Sequence, residues 1–411
     1  MTVEPPPPEE GGGLPPTPEE AAASGTLAAS IALRHRAGGV AVPVLTALIA
    51  FLLGGLIVLA TGHNPLLAYR DIFNGAGLNW IFHPSTDTAR TDAYNLTQTL
   101  LQTTTLILTG LAVAFAFRCG MFNIGGQGQY FVGIYAANWV GSSFAGMNAV
   151  PHILLGIGAA TLAGAVWAGI AGFLKAAVGA HEVITTIMLN WIAIWGGTYL
   201  FGDRGLLQGT ENKAGHIPIS ADVADSAKLP VFWGDKDLQG LHVGFFVALA
   251  ALVVFWLILN RTTLGYEVRA VGFNPEAAHY GGISVGKNLI RAMAISGAFA
   301  GLAGGLDMLG YLYRYGVSDI PVSTVGFLGI AVALLGRNTA VGTGLGALLF
   351  GGLLFGTTHG LQSTVIAPEL AGNLTYMIQG LIVLFVGADV LILYVWSRRR
   401  SLRARPQEAP A

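Results

Sequence analysis

The stretch HYGGISVGKNLI, residues 279–290, places Gly281, Gly286 and Lys287 at the G-x-x-x-x-G-K spacing with which a loop encloses the phosphates of a nucleotide. That chemistry needs successive backbone N–H groups and a lysine around the phosphates, and a Ser or Thr hydroxyl after the lysine to hold magnesium. Asn288 stands in the hydroxyl's place. The preceding NPEAAHY reads as a helix start and not as the buried strand that feeds such a loop. The sequence therefore gives this chain no cofactor of its own, neither ATP nor magnesium.

Other reactive groupings are equally incomplete. HEVIT at 181–185 lacks the second histidine of H-E-x-x-H, and no Ser or Cys stands in a motif with a nearby base. Cys119 is the single cysteine, which excludes an internal disulfide and argues against cysteine-based zinc or iron–sulfur sites. Glu182 and Asp307 lie near apolar segments, where an ion-coupled transporter would carry its proton or ion sites. The sequence places Glu182 at the cytoplasmic end of one span and Asp307 near the outer end of another.

These residues must be positioned by a membrane protein. Hydrophobic residues make up 53% of the 411-residue chain and charged residues 10%, with a mean hydropathy of +0.61, whereas a soluble domain is ~25% charged. The net charge of −1 offers nothing to nucleic acid. Crossing a ~30 Å hydrocarbon core takes about 20 apolar residues. Runs near 40–61, 95–117, 122–141, 152–174, 183–201, 242–260, 290–312, 323–336, 340–359 and 373–396 give about ten candidates, the third and eighth short or Gly-rich. The expected fold class is all-α, a polytopic transmembrane helical bundle. Arg118, Lys175, Arg261, Arg269, Lys287, Arg291, Arg337 and the tail RRRSLRAR then fall on one side, with both termini in the cytoplasm by the positive-inside rule. Residues 1–39 hold seven of the 18 prolines and read as a disordered Pro/Glu-rich tail, not a signal peptide. Residues 40–396 form the membrane domain and 397–411 a basic tail. The acidic loop 202–241 lies outside, as a solvated connection or part of a docking surface.

Polar residues interrupt the apolar pattern twice. In RCGMFNIGGQGQYF (118–131), Asn123, Gln127 and Gln129 stand among glycines that let the backbone bend. They either line a solute path or make structural hydrogen bonds, with Arg118 anchoring a cytoplasmic turn. Asn190 and Trp191 are the next path candidates. In 262–291, Asn274 is an N-cap, Pro275 the first helical residue, Glu276 a favourable first-turn charge, and Gly281 and Gly282 the stop. A short, rigid cytoplasmic helix follows, with exposed alanines at 277 and 278. Gly297, Gly301 and Gly305, and Gly164, Ala168 and Gly172, are spaced for close helix packing.

The runs LGYEVRAVGFNPEAAHYGGI, ISGAFAGLAGG, MFNIGGQGQ and HEVITTIMLNWIA, separated motifs that occur in the expected order within a resemblance covering roughly 40–395, resemble the membrane permease subunits of bacterial ABC importers. Phe122 to Gly125 followed by Gly128 and Gln129 is similar to the nucleoside or simple-sugar branch, in which an acid often stands where Gln127 is. The resemblance implies a transport subunit in the bacterial plasma membrane, not an enzyme. ATP and magnesium would be held by a separate cytoplasmic ATPase, engaged through a coupling helix with Gly272, Asn274, Pro275, Glu276, Ala277, Ala278 and Gly282. The resemblance further implies a second permease, a different chain in some such systems, and an extracytoplasmic solute-binding lipoprotein. The implied solute is a nucleoside or, as the alternative, a simple sugar; amides and aromatics suit a neutral nucleoside.

Overall fold

The computed structural model describes residues 44–361 apart from 46, 61, 85–87, 145, 236–238 and 321–322, together with scattered residues from 373 to 384. The tail 1–39, most of the candidate span 373–396 and the tail 397–411 lie outside the described residues. The chain runs through α1 (Ala47–Ala60), α2 (Pro65–Gly75), α3 (Ala89–Arg118), α4 (Gly126–Ser143), α5 (Ala149–Val178) and α6 (Glu182–Phe201). It continues through α7 (Thr210–Lys213), β1 (Val231–Trp233), β2 (Leu241–His242), α8 (Gly244–Arg261), α9 (Thr263–Phe273), α10 (Pro275–Tyr280), α11 (Val285–Asp307), α12 (Val325–Leu335) and α13 (Ala340–Gly360).

Among the described residues, 6 helices are long and apolar enough to cross a membrane: α3, α5, α6, α8, α11 with its extension to Leu312, and α13. Counting the α1–α2 pair, bent by 117°, as one span gives 7 among the described residues, which leave out most of the tenth apolar run, 373–396. The bend falls where Asn64 caps Leu66 N–H at 2.9 Å and Pro65 begins a new helix, so α1 cannot continue. α12 has only 11 residues, or about 16 Å at ~1.5 Å per residue. The third candidate begins late because 119–125 form a turn before α4.

α3 is the centre of the bundle, against which α11, α12, α13 and α8 pack. Its threonines can be buried because their hydroxyls return to the helix: Thr103 donates to Thr99 O at 2.7 Å, Thr104 to Leu100 O at 2.8 Å and Thr109 to Thr105 O at 3.0 Å. With no hydrophobic force between helices in lipid, α5 and α11 associate through small residues. A Cβ on Gly297 would collide with the Gly164 carbonyl, and one on Gly301 with that of Ala160. Gly172 packs against Ile290 and Met293, completing the spacing read from sequence.

The connection 202–241 is folded onto the end of α11 and is more than a solvated link. Ser220 N–H donates to Tyr315 O at 2.9 Å, Val223 N–H to Tyr313 O at 2.8 Å and Leu229 N–H to Leu309 O at 2.8 Å. Burying Val223, Ala227 and Leu229 removes water from these amides, which must therefore pair with protein.

Candidate functional site

The polar turn and the start of α4 bring the candidate path residues into one buried network. Asn123 Nδ2 donates to Gln129 Oε1 at 2.9 Å and to Ser296 Oγ at 2.7 Å, while Gln129 Nε2 donates back to Asn123 Oδ1 at 2.9 Å. Ser296 Oγ donates to Ala112 O at 2.5 Å, joining α11 to α3. Gln127 spans to the start of α12: its Nε2 donates to Ser323 O at 3.0 Å and its Oε1 accepts Gly326 N–H at 2.6 Å. Asn190 on α6 accepts Gly128 N–H at 2.7 Å and donates to Ile124 O at 3.0 Å. In this conformation the four amides hold together α3, α4, α6, α11 and the approach to α12. Ser296 and Ser323 escaped the sequence reading because single serines carry no local pattern.

Asn190 and Trp191 are adjacent in sequence but point apart. Asn190 is buried, whereas Trp191 shares the outward face of α6 with Met188, Trp195 and Tyr199. Arg118, read as the anchor of a turn, donates from Nε at 2.9 Å and from Nη2 at 2.7 Å to the carbonyl of Asn338, beyond α12.

Glu182 and Asp307, the acids that an ion-coupled transporter would use, have protein partners. Glu182 pairs with Lys175 Nζ at 2.8 Å. Asp307 ends α11, where one π-helical turn, Met308–Leu312, follows. It accepts Thr105 Oγ1 at 2.6 Å and Tyr130 Oη at 2.7 Å, with Tyr311 as a further donor. Among the described residues no group of three His, Cys, Asp or Glu is arranged to hold a metal ion.

The segment that imitates a phosphate loop has a structural explanation. Gly286 and Lys287 already belong to α11, and Asn288 is buried with Nδ2 donating to Glu267 Oε2 at 2.9 Å and to Ser284 O at 3.0 Å. Asn288 thus ties α11 to α9. Ahead of it, Asn274 Oδ1 accepts Ala277 N–H at 3.0 Å, Pro275 opens α10, and Gly282 turns away at φ +82°. The positive φ is one that an L side chain adopts only with strain.

One expectation for this short helix is corrected. Ala277 is exposed, but Ala278 is only 5% exposed and packs inward, because its position faces the returning chain, where Ile283 N–H donates to Ala278 O at 2.9 Å. The protruding side chains are Phe273, 95% exposed, and Tyr280, 91% exposed, at the two ends of α10. Glu276 is exposed between them. Gly272 packs on the backbone of Arg118 to Gly120, where a Cβ would collide with the Arg118 carbonyl. The short helix is thereby joined through α9 to the turn that carries Asn123.

A family model described as branched-chain amino acid transport system / permease component matches residues 95–387. The guanosine ABC transporter permease protein NupP of Bacillus subtilis is 41% identical over 87% of this chain and 95% of its own length. The glucose ABC transporter permease protein TsgB13 of Haloferax volcanii is 35% identical over 84% of this chain and 86% of its own. The nucleoside ABC transporter permease protein NupB of Lactococcus lactis is 33% identical over 90% of this chain and 97% of its own. No solved structure matches the chain. With its helical bundle, its span-length apolar helices and a family match across most of its length, the chain belongs to the branched-chain amino acid transport system permease component family and is a multi-pass membrane protein.

Proposed function

We propose that this chain is the membrane subunit of an ATP-driven nucleoside importer. The observation that carries the reading is the near full-length similarity to a guanosine and a nucleoside permease at 41% and 33% identity. ATP is hydrolysed by a separate cytoplasmic ATPase, a second permease completes the pore, and an extracytoplasmic binding protein delivers the solute. The arginine and lysine bias places α9, α10 and both termini in the cytoplasm and 202–241 outside.

Coupling follows from the rigidity of the cytoplasmic segment. The ATPase receives α10 with Phe273 and Tyr280 at its rim. A push on α10 passes through α9 to the close contact of Gly272 with Gly120, and so to the turn whose amides hold the helices together. An element with two arrangements, biased by ATP on one side and solute on the other, is what coupling requires. Opening a path would exchange some amide-to-amide bonds of Asn123, Gln127, Gln129 and Asn190 for bonds to solute or water.

The 35% identical glucose permease supports a simple-sugar alternative. Uptake of labelled guanosine, uridine and glucose by cells with and without the gene for this chain separates the two. Loss of nucleoside uptake alone is expected on deletion. Loss of glucose uptake with nucleoside uptake intact would transfer the assignment to the sugar.

A further inference from the structure

At the end of α11 opposite α10, a cavity of about 350 Å³ is lined by Asp222, Lys228, Gln239, Tyr311, Tyr313 and Arg314 among others. Pockets that hold small molecules run from ~300 to 1,000 Å³. We propose that this pocket is an outer receiving site for a nucleoside, with a tyrosine ring carrying the base and the Asp222 carboxylate accepting the ribose hydroxyls. The inference rests on the nucleoside reading above and adds to it a site and its residues.

The tyrosines are held in place by the protein. Tyr313 adopts φ +57°, a backbone conformation that a bulky residue keeps only when its surroundings enforce it. Its carbonyl accepts Val223 N–H at 2.8 Å, and its hydroxyl donates to Gly310 O at 2.7 Å. Lys228 Nζ lies 5.0 Å from the centre of its ring. Tyr311 is fixed from below by Asp307 and lies parallel to His242, with ring centres 6.4 Å apart. Gln239 also has φ +57°, and its carbonyl accepts Gln98 Nε2 at 2.9 Å. Two lining residues held at positive φ point to a site whose geometry the fold maintains.

The charges fit a neutral ligand. Lys228 is paired with Asp225 at 2.7 Å. Asp222 and Arg314 also line the pocket and make no side-chain hydrogen bond or ion pair among the described residues. With Lys228 held by Asp225, which lies outside the lining, one free carboxylate and one free guanidinium remain on it. The carboxylate accepts from a vicinal diol, the guanidinium donates to a carbonyl on the base, and the rings stack.

The test uses the assembled transporter in lipid nanodiscs with 8-azidoguanosine as a photoreactive probe. Adducts should map to the peptide around Tyr311 to Arg314 or to that around Asp222, and guanosine should compete roughly 5-fold to 30-fold better than 2′,3′-dideoxyguanosine. Asp222→Ala should erase that preference, and Arg314→Gln should weaken competition by both nucleosides by a similar factor. Lys213→Gln, on the same side but outside the pocket, should change neither. Adducts elsewhere, or wild-type competition by both variants, overturn the pocket while nucleoside uptake by cells keeps the broader reading. A loss in the variants of binding-protein capture, with labelling unchanged, shows a docking surface and also overturns the site. If deleting the chain leaves cellular nucleoside uptake intact, the reading and the site fall together.

Discussion

Replacing Phe273 or Tyr280 by alanine should separate docking of the ATPase from folding of the permease. Both rings are more than nine-tenths exposed, at 95% and 91%, so neither substitution removes a packed side chain. An aromatic side chain buries ~150–250 Å² when fully covered. At ~25 cal/mol per Å² this is about 4–6 kcal/mol of transfer free energy per ring. Partial coverage and the ordering of the side chain leave roughly 2–3 kcal/mol, or about 30-fold to 150-fold in affinity. The assay is binding of purified ATPase subunit to permease in nanodiscs, with thermal unfolding of the permease followed in parallel. Each single variant should weaken binding by that factor, reduce solute-stimulated ATP hydrolysis accordingly, and leave the unfolding midpoint unchanged. Ala278→Trp should behave in the opposite way: with position 278 buried, a large ring disrupts the return of the chain to Ile283 and lowers folded permease in the membrane. Wild-type ATPase affinity in the Phe273→Ala, Tyr280→Ala double variant would refute the assignment of these rings to the docking rim.

Gly301→Val should destabilise the bundle by about 3 kcal/mol or more, since any Cβ there meets the Ala160 carbonyl, whereas Gly169→Val on α5, with nothing nearby, should be tolerated; the unfolding midpoint in detergent checks both. Asn123→Leu leaves the Gln129 amide without its partner and takes from Ser296 the bond it accepts, while Ser296 keeps its bond to Ala112 O; an unpaired buried group costs about 1–3 kcal/mol, so reduced stability should accompany any loss of nucleoside uptake; normal stability with lost uptake would show that Asn123 serves the solute and not the fold. His242, ahead of α8, is buried with Nδ1 accepting Gly244 N–H at 3.1 Å, and burial holds its pKa down to about 4 from 6.5. The unfolded chain therefore binds the extra proton first as pH falls, so stability is full above about 6.5, declines by roughly 3 kcal/mol down to about 4 and then levels off. The difference in unfolding midpoint between wild type and His242→Gln should change with pH in that window alone, and a difference that stays constant across it would remove the titration of His242 from the account.

The sequence by itself determined the class, the boundaries of the short helix α10 and the family. Composition and apolar run length require spans, because a bilayer leaves no other way to satisfy a long apolar backbone. Asn274, Pro275 and Gly282 set the limits of α10 because capping, proline geometry and a positive φ are local properties. The helix-packing glycines were also legible, since their spacing repeats along one face. Tertiary structure decided what the polar residues do. Gln127 meets Gly326, Asn123 meets Ser296, and Thr105, Tyr130 and Asp307 meet across three helices. Partners separated by more than a hundred residues leave no trace in local spacing. The same limit hid the inward turn of Ala278, which depends on where Ile283 returns, and the pocket at the end of α11, which exists only because Ser220, Val223 and Leu229 fold back onto that end. Tertiary structure also decided which described apolar runs reach span length, 6 or 7 helices, because an apolar run records that a segment is buried from water, while its length in the membrane depends on where the backbone bends.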